Sequence, residues 1–235
     1  MAENLRLFVG ARVSMAVVAD LSGAAETLAR RAQQSNLRVR WVAPATYHVT
    51  LKFLGWARPD AVGAIGDALR RACTGVAPFS FRTERLGAFP SPERATVVWA
   101  GVDDRGGHLT RLAEAIDKET AALGFDRERR RFHAHVTLGR VREPSDVSQA
   151  LLPLSEQVFS ETKVAEVVLF ESIMKSSGSE YSAVLRIPLE TAAEAARRQT
   201  AALQRPSFDA STDGSAPSRS SFDDGDDGWE PDPAG

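Results

Sequence analysis

Cysteine is almost absent from this chain: one residue, Cys73, in 235. That excludes an internal disulfide framework and a cysteine-ligated zinc site, and it fits a reducing cytoplasm. Cys73 follows Leu69, Arg70, Arg71 and Ala72 in a helical pattern and reads as a small core residue. Long apolar runs are missing too. None approaches the roughly 20 residues needed to span a bilayer, so no membrane partner is expected. The first residues enter a strand-like run at once, without the basic and then apolar stretches that make a signal peptide. Neither a Gly-x-Ser-x-Gly elbow nor a P-loop or Gly-x-Gly-x-x-Gly turn after a strand is present. Histidine is scarce, with four residues: His48, His108, His133 and His135.

Charge is close to balanced overall, at −2, but it is unevenly spread. From Arg197 onward, four arginines face eight acids, a net −4, which leaves +2 on the first 196 residues. A mildly basic body is compatible with a phosphate-bearing substrate, although charge balance governs encounter more than chemistry. Residues 204–235 are rich in Ser, Asp, Pro and Gly. Such a segment has too little apolar surface to offset ordering entropy, so a disordered acidic tail is expected there. Residues 1–192 are read as one domain of two repeat lobes, about 1–90 and 91–192, with exchange of strands between them allowed.

Within that body, periodicity predicts strands at 7–13, 47–54, 79–86, 95–100 and 132–141. It predicts helices at 21–34 (capped by Asp20 or Ser22), 59–72, 108–123 and 145–157. A closing hairpin is expected from 164–172 and 181–188, turning around 176–179. The order strand, helix, strand in 7–54 recurs in 95–141. Leu7 lies 41 residues before His48, and Thr96 lies 39 before His135. This is an internal duplication of a β-α-β unit, able to set two like strands face to face across a pseudo-twofold axis.

The duplicated strands carry the same tetrapeptide, His-Val-Thr-Leu, at His48–Leu51 and His135–Leu138. Side chains alternate faces along a strand. Strict alternation therefore puts His48, Thr50 and Lys52 on one face, and His133, His135 and Thr137 on the corresponding face of the second copy. In each copy a histidine and a threonine hydroxyl stand about 7 Å apart. Facing repeats would bring two imidazoles and two hydroxyls to one cleft. One imidazole can act as base and the other as acid near neutral pH, while hydroxyls hold nonbridging phosphate oxygens. That set suits in-line displacement at phosphorus.

Other assignments of the same residues are weaker. His133 and His135 are spaced as strand-borne zinc ligands can be, but no nearby carboxylate or cysteine completes a set with His48. No cofactor is expected. The arginines of 127–131, with Arg140 and Arg142, are either a solvated loop or a contact for an RNA backbone. Arg140 would point away from the cleft unless Gly139 hosts a bulge. Tyr47, Phe89, Trp99 and Phe132 are aromatic candidates for stacking a base.

At these motifs the chain resembles the 2H phosphoesterase superfamily, named for its two His-x-Thr/Ser motifs. Within it, the chain is similar to the RNA 2′,3′-cyclic phosphodiesterases of the LigT/ThpR-like group. The resemblance rests on Arg6-Leu7-Phe8-Val9, on 47–55 and 132–140, and on Leu169-Phe170-Glu171-Ser172 followed by Tyr181 and Ile187-Pro188-Leu189. It covers roughly residues 5–190. It implies an α+β fold of two pseudo-symmetric lobes with antiparallel sheets facing a central cleft. It also implies metal-independent opening of a 2′,3′-cyclic phosphate to a 2′-phosphomonoester.

Carried over, His48 and His135 are the catalytic pair, His48 taken as acid and His135 as base, and Thr50 and Thr137 bind phosphate. Arg140, Lys52 and His133 are further substrate-contact candidates. His133-Ala134 stands where the family often has Arg-Pro. The expected partner is RNA with a cyclic phosphate end or a small cyclic nucleotide, and the expected state is a monomer. Related readings are a 2′,5′ RNA ligase, a phosphodiesterase for 2′,5′-linked or ADP-ribose cyclic phosphate substrates, or a noncatalytic RNA-end binder.

Overall fold

A computed structural model describes residues 3–175, 178–191, 193–194 and 196–197. The tail expected at 204–235 and residues 176–177 of the turn expected around 176–179 lie outside the described residues, as does the end of the expected domain at 192.

The elements run β1 (Leu5–Arg12), α1 (Met15–Gln34), β2 (Val39–Trp41), β3 (His48–Ala57), α2 (Val62–Cys73), β4 (Phe79–Phe89), β5 (Ala95–Asp103), α3 (His108–Ala121), β6 (His135–Ser145), α4 (Ser148–Leu151), β7 (Val158–Val164), β8 (Glu166–Lys175) and β9 (Gly178–Pro188). The strands form one sheet in the order β7-β4-β5-β6-β3-β1-β8-β9, with β2 added to β6. Every ladder between these strands is antiparallel. The expected α+β architecture is present, but its two halves are joined in a single curled sheet rather than standing apart.

The join is narrow. β3 and β6 pair through Val49↔Val136 alone. On either side of it the order is mirrored: β6, β5, β4, β7 on one flank and β3, β1, β8, β9 on the other. Chain order does not respect the mirror. β4 follows the first repeat yet pairs with β5 of the second, and the β8–β9 hairpin returns from the C-terminal side to β1.

Helix starts follow local chemistry. The Ser14 hydroxyl accepts from the Val17 N–H at 3.3 Å, and it also donates to the Glu161 carbonyl at 2.8 Å. α1 therefore begins at Met15, upstream of the expected Asp20 or Ser22 cap. At α3, Asp104 accepts from the backbone N–H groups of Leu109 and Thr110 at 3.0 and 2.9 Å, satisfying first-turn donors that have no partner within the helix. The expected helix at 145–157 is reduced to α4 and a 3₁₀ turn at Leu152–Leu154. Pro153 cannot continue an α-helical ladder.

One apolar core runs between helices and sheet, built from residues such as Leu7, Val17, Leu21, Leu28, Ile65, Leu69, Leu109, Ile116 and Leu169. Cys73 lies in it, its thiol pKa pushed up to about 12 by burial. Among the described residues, no helix is long and apolar enough to cross a membrane.

Candidate active site

The two tetrapeptides open the two central strands. In the register set by Val49↔Val136, His48 stands opposite Thr137, and Thr50 stands opposite His135. Both valines are fully buried on the helix side, so the four polar side chains share the other face. Opposed Cα atoms in such a ladder lie about 4.5–5.5 Å apart. A pseudo-twofold axis through the valine pair exchanges the two copies.

Each imidazole is held from behind. His48 Nδ1 lies 2.7 Å from the Thr46 carbonyl, and His135 Nδ1 lies 2.7 Å from the His133 carbonyl. A carbonyl only accepts, so Nδ1 carries a proton in both rings, and Nε2 is the exchanging position. His48 Nε2 is 3.0 Å from Thr50 Oγ1.

Burial lowers the pKa of both rings below the usual 6.5. At His48 the Thr46 carbonyl opposes this, while the charges of His135 and Arg12 add to it. At His135 the His133 carbonyl opposes, while His133 and Arg140 add. In the free protein both rings thus favour the neutral form. An anion bound between them would return proton affinity to the ring it touches.

The sign of the pH dependence follows. We expect kcat/KM to peak below pH 6.5 and to fall as pH rises through the lowered pKa of the acid. The kcat profile at saturating substrate should lie at higher pH. Initial rates across pH 4.5–8.5 check this, and a kcat/KM optimum above pH 7 would count against it.

Parity beyond the threonines is changed by a bulge in each copy. On β3, Gly10 pairs with Thr50 and Val9 pairs with Lys52, skipping Leu51. Leu51 and Lys52 therefore both face the helices, and Phe53 returns to the site face at 65% exposure. Lys52, expected in the cleft, is 5% exposed. Its ammonium is bonded to Asp117 of α3 and to the Asp126 carbonyl. It is not a substrate contact, because the bulge shifted the alternation by one residue.

The same irregularity rescues Arg140. Trp99 pairs with Thr137, Val98 with Gly139 and Val97 with Arg140, skipping Leu138. Arg140 thus shares the face of His135 and Thr137, and its charge acts on His135. His133 is also at the site. Its ring contacts Phe89 and Trp99 at 5.2 Å each and lies 6.1 Å from His135.

Of the four aromatics considered for stacking, Phe89 is at the site, 5.1 Å from both Trp99 and His135. Trp99 lies against Gly87, where a Cβ would meet the indole at 2.4 Å. Tyr47 is buried in the core, its hydroxyl pKa pushed up to about 12, and Phe132 packs against that core.

Sequence reasoning missed the wall beside His48. Phe8, Phe170 and Tyr181 form it, with Phe8 4.9 Å and Tyr181 5.2 Å from the imidazole. It also missed Arg12, directly opposite His48 on β1, with its guanidinium 5.0 Å above the Phe170 ring. Gly10 leaves this corner open, since a Cβ there would meet the Val49 carbonyl at 2.9 Å and His48 at 3.3 Å. The period-two run Phe8, Gly10, Arg12 is visible in sequence, but its pairing with the first motif strand is not. Among the described residues, no three His, Cys, Asp or Glu side chains are grouped to hold a metal ion.

The LigT-like phosphoesterase model matches residues 16–99 and 101–181, one stretch for each motif. The chain belongs to the LigT-like phosphoesterases. An RNA 2′,3′-cyclic phosphodiesterase of Archaeoglobus fulgidus is 36% identical over 144 residues, covering 61% of this chain and 80% of that protein. One of Aeropyrum pernix is 28% identical over 156 residues, covering 65% and 88%. The fold is shared with TT0787 of Thermus thermophilus, at a TM-score of 0.66, 24% identity, and coverage of 79% of this chain and 98% of that one. It is also shared with E. coli LigT complexed with 3′-AMP, at a TM-score of 0.61, 22% identity, and coverage of 80% and 100%. In this LigT-like chain both His-Val-Thr-Leu copies lie inside the matched segments.

Proposed function

We propose that this chain is an RNA 2′,3′-cyclic phosphodiesterase that opens the cyclic phosphate by two-histidine acid–base catalysis. The observation that carries the reading is the antiparallel pairing of the two motifs through Val49 and Val136, which sets each histidine against the other copy's threonine. The names of the relatives supply the substrate.

In this reading His135 Nε2 takes a proton from water as its oxygen attacks phosphorus in line. The bond from phosphorus to the 3′-oxygen breaks, and His48 Nε2 gives that oxygen its proton, leaving a 2′-phosphomonoester. Thr50, Thr137 and the Arg140 guanidinium hold the nonbridging oxygens as charge develops on them. The Thr46 and His133 carbonyls fix the tautomers that make Nε2 the reacting atom in both rings. Lys52 has no part in the chemistry.

The test is hydrolysis of a 2′,3′-cyclic nucleotide in the presence of EDTA, with the product identified by phosphorus NMR. A 2′-phosphate at an undiminished rate is expected. Formation of 3′-phosphate, or loss of the rate with EDTA, overturns the mechanism. Joining of 2′,5′-linked ends under the same conditions would move the assignment to ligation.

A further inference from the structure

Beyond the bulge at Leu138–Gly139, β6 gains a new neighbour. β2 pairs with it through Val39↔Val141, Arg40↔Arg140 and Trp41↔Gly139. The next rung carries Arg38 opposite Arg142, closed by the Arg142 N–H donating to the Arg38 carbonyl at 3.1 Å. Opposed residues of an antiparallel ladder share a face. Val39 and Trp41 pack on the core. The other face therefore presents Arg38, Arg40, Arg140 and Arg142 as two opposed pairs, all four exposed.

That face is the site face, because Arg140 shares it with Thr137 and His135. From Thr137 the ladder runs four rungs, about 13 Å, along β6 to Arg142, the length of a few nucleotides.

Two features mark this as a surface built for a polyanion. Like charges set directly opposite across a ladder repel, and here two such rungs are consecutive. Among the described residues, no carboxylate forms an ion pair with any of the four. The arginine run at 127–131, which sequence singles out, is differently placed. It precedes β6, at the opposite end from Arg142, with Arg127 tied to Asp117 and Arg130 3.7 Å from Glu128.

We propose that Arg38, Arg40 and Arg142 extend the phosphate site of Arg140 into a track for backbone phosphates next to the reacting end of an RNA strand, so that the preferred substrate is an oligonucleotide. The inference rests on the hydrolase reading above. It assigns substrate size to β2, an element outside both motifs.

The experiment compares 2′,3′-cyclic AMP with a ten-nucleotide RNA ending in the same cyclic nucleotide. The proteins are the wild type, R38Q/R40Q/R142Q, and R129Q/R131Q as a second basic patch. Wild type should show a KM at least about 10-fold lower for the RNA at low salt. The ladder variant should lose that preference with kcat retained and its cyclic AMP kinetics unchanged. Its salt slope for log kcat/KM on the RNA should shrink by about 2, at roughly 0.7 per single-strand phosphate contact.

An unchanged RNA KM in the ladder variant overturns the track. So does an equal loss on cyclic AMP, or the same loss in R129Q/R131Q, which would mean diffuse charge. If wild type hydrolyses cyclic AMP but shows no preference for RNA, the track fails and the hydrolase reading stands. If it hydrolyses neither, the hydrolase reading itself fails.

Discussion

His48→Ala and His135→Ala should each lower kcat/KM for a 2′,3′-cyclic nucleotide by about 10³-fold, within the 10²–10⁴ expected for one acid or base. The double variant should fall little further, because the two rings serve one concerted displacement and their losses do not add. Neither change should unfold the chain. Both rings sit on the open face of the sheet, and burial already disfavours their charged forms. Circular dichroism and thermal melting separate this outcome from misfolding. Phosphate competition should survive in both variants, because Thr50, Thr137 and Arg140 remain. A variant of either histidine with more than a tenth of wild-type kcat/KM would remove that residue from the mechanism.

Asp117→Ala should have the largest effect on stability. Asp117 sits on the buried side of α3, bonded to the Lys52 ammonium, the Arg127 guanidinium and, at 3.0 Å, the Glu128 N–H. Removing the carboxylate leaves the Lys52 charge buried, which costs about 3–5 kcal/mol. At about 2–4 °C per kcal/mol for a domain of this size, the melting temperature should drop by about 6–20 °C. Lys52→Met with Asp117→Leu should lose much less, since it leaves no buried charge unpaired and the Arg127 guanidinium, which also loses Asp117, is largely exposed to water. The exposed pair Arg58–Asp60 supplies the contrast, and its removal should leave the melting temperature nearly unchanged. Equal losses in the single and double variants would show that Lys52 finds another partner.

The pH dependence has a definite sign. Burial alone would raise the Asp117 carboxyl, but Lys52, the Glu128 N–H and Arg127 outweigh it and hold it below its ordinary value. Its contribution is therefore present above the unfolded carboxylate pKa and is lost as pH falls through the folded one.

The repeat was legible because two tetrapeptides carry identical polar–apolar alternation, and the offsets of 41 and 39 residues match the register of the structure. Phe8 faces Phe53 as Val97 faces Arg140, so Leu7 and Thr96 are equivalent positions. What alternation missed was the extra residue. Leu51–Lys52 and Leu138–Gly139 each spend two positions on one rung, which sent Lys52 inward and Arg140 outward. Gly139 hinted at the second bulge, and nothing in the first tetrapeptide hints at its partner. Arg12, Arg38 and Arg40 were illegible for a different reason. Each acquires its meaning from the strand it pairs with, and pairing across the sheet is a property of the fold. β2, three residues long, offers too short a pattern for periodicity to register.

The exchange of strands across the narrow join has a consequence for biosynthesis. The flank that carries His48 is completed by a hairpin ending at Pro188. Contacts so distant in sequence form slowly, since a long loop must close before they are made. A chain emerging from the ribosome can assemble β4, β5 and β6 early, while Phe8 waits for Phe170 and Tyr181. The aromatic wall beside the first imidazole is thus finished last, and nascent or truncated chains that lack the hairpin should be inert despite carrying both tetrapeptides.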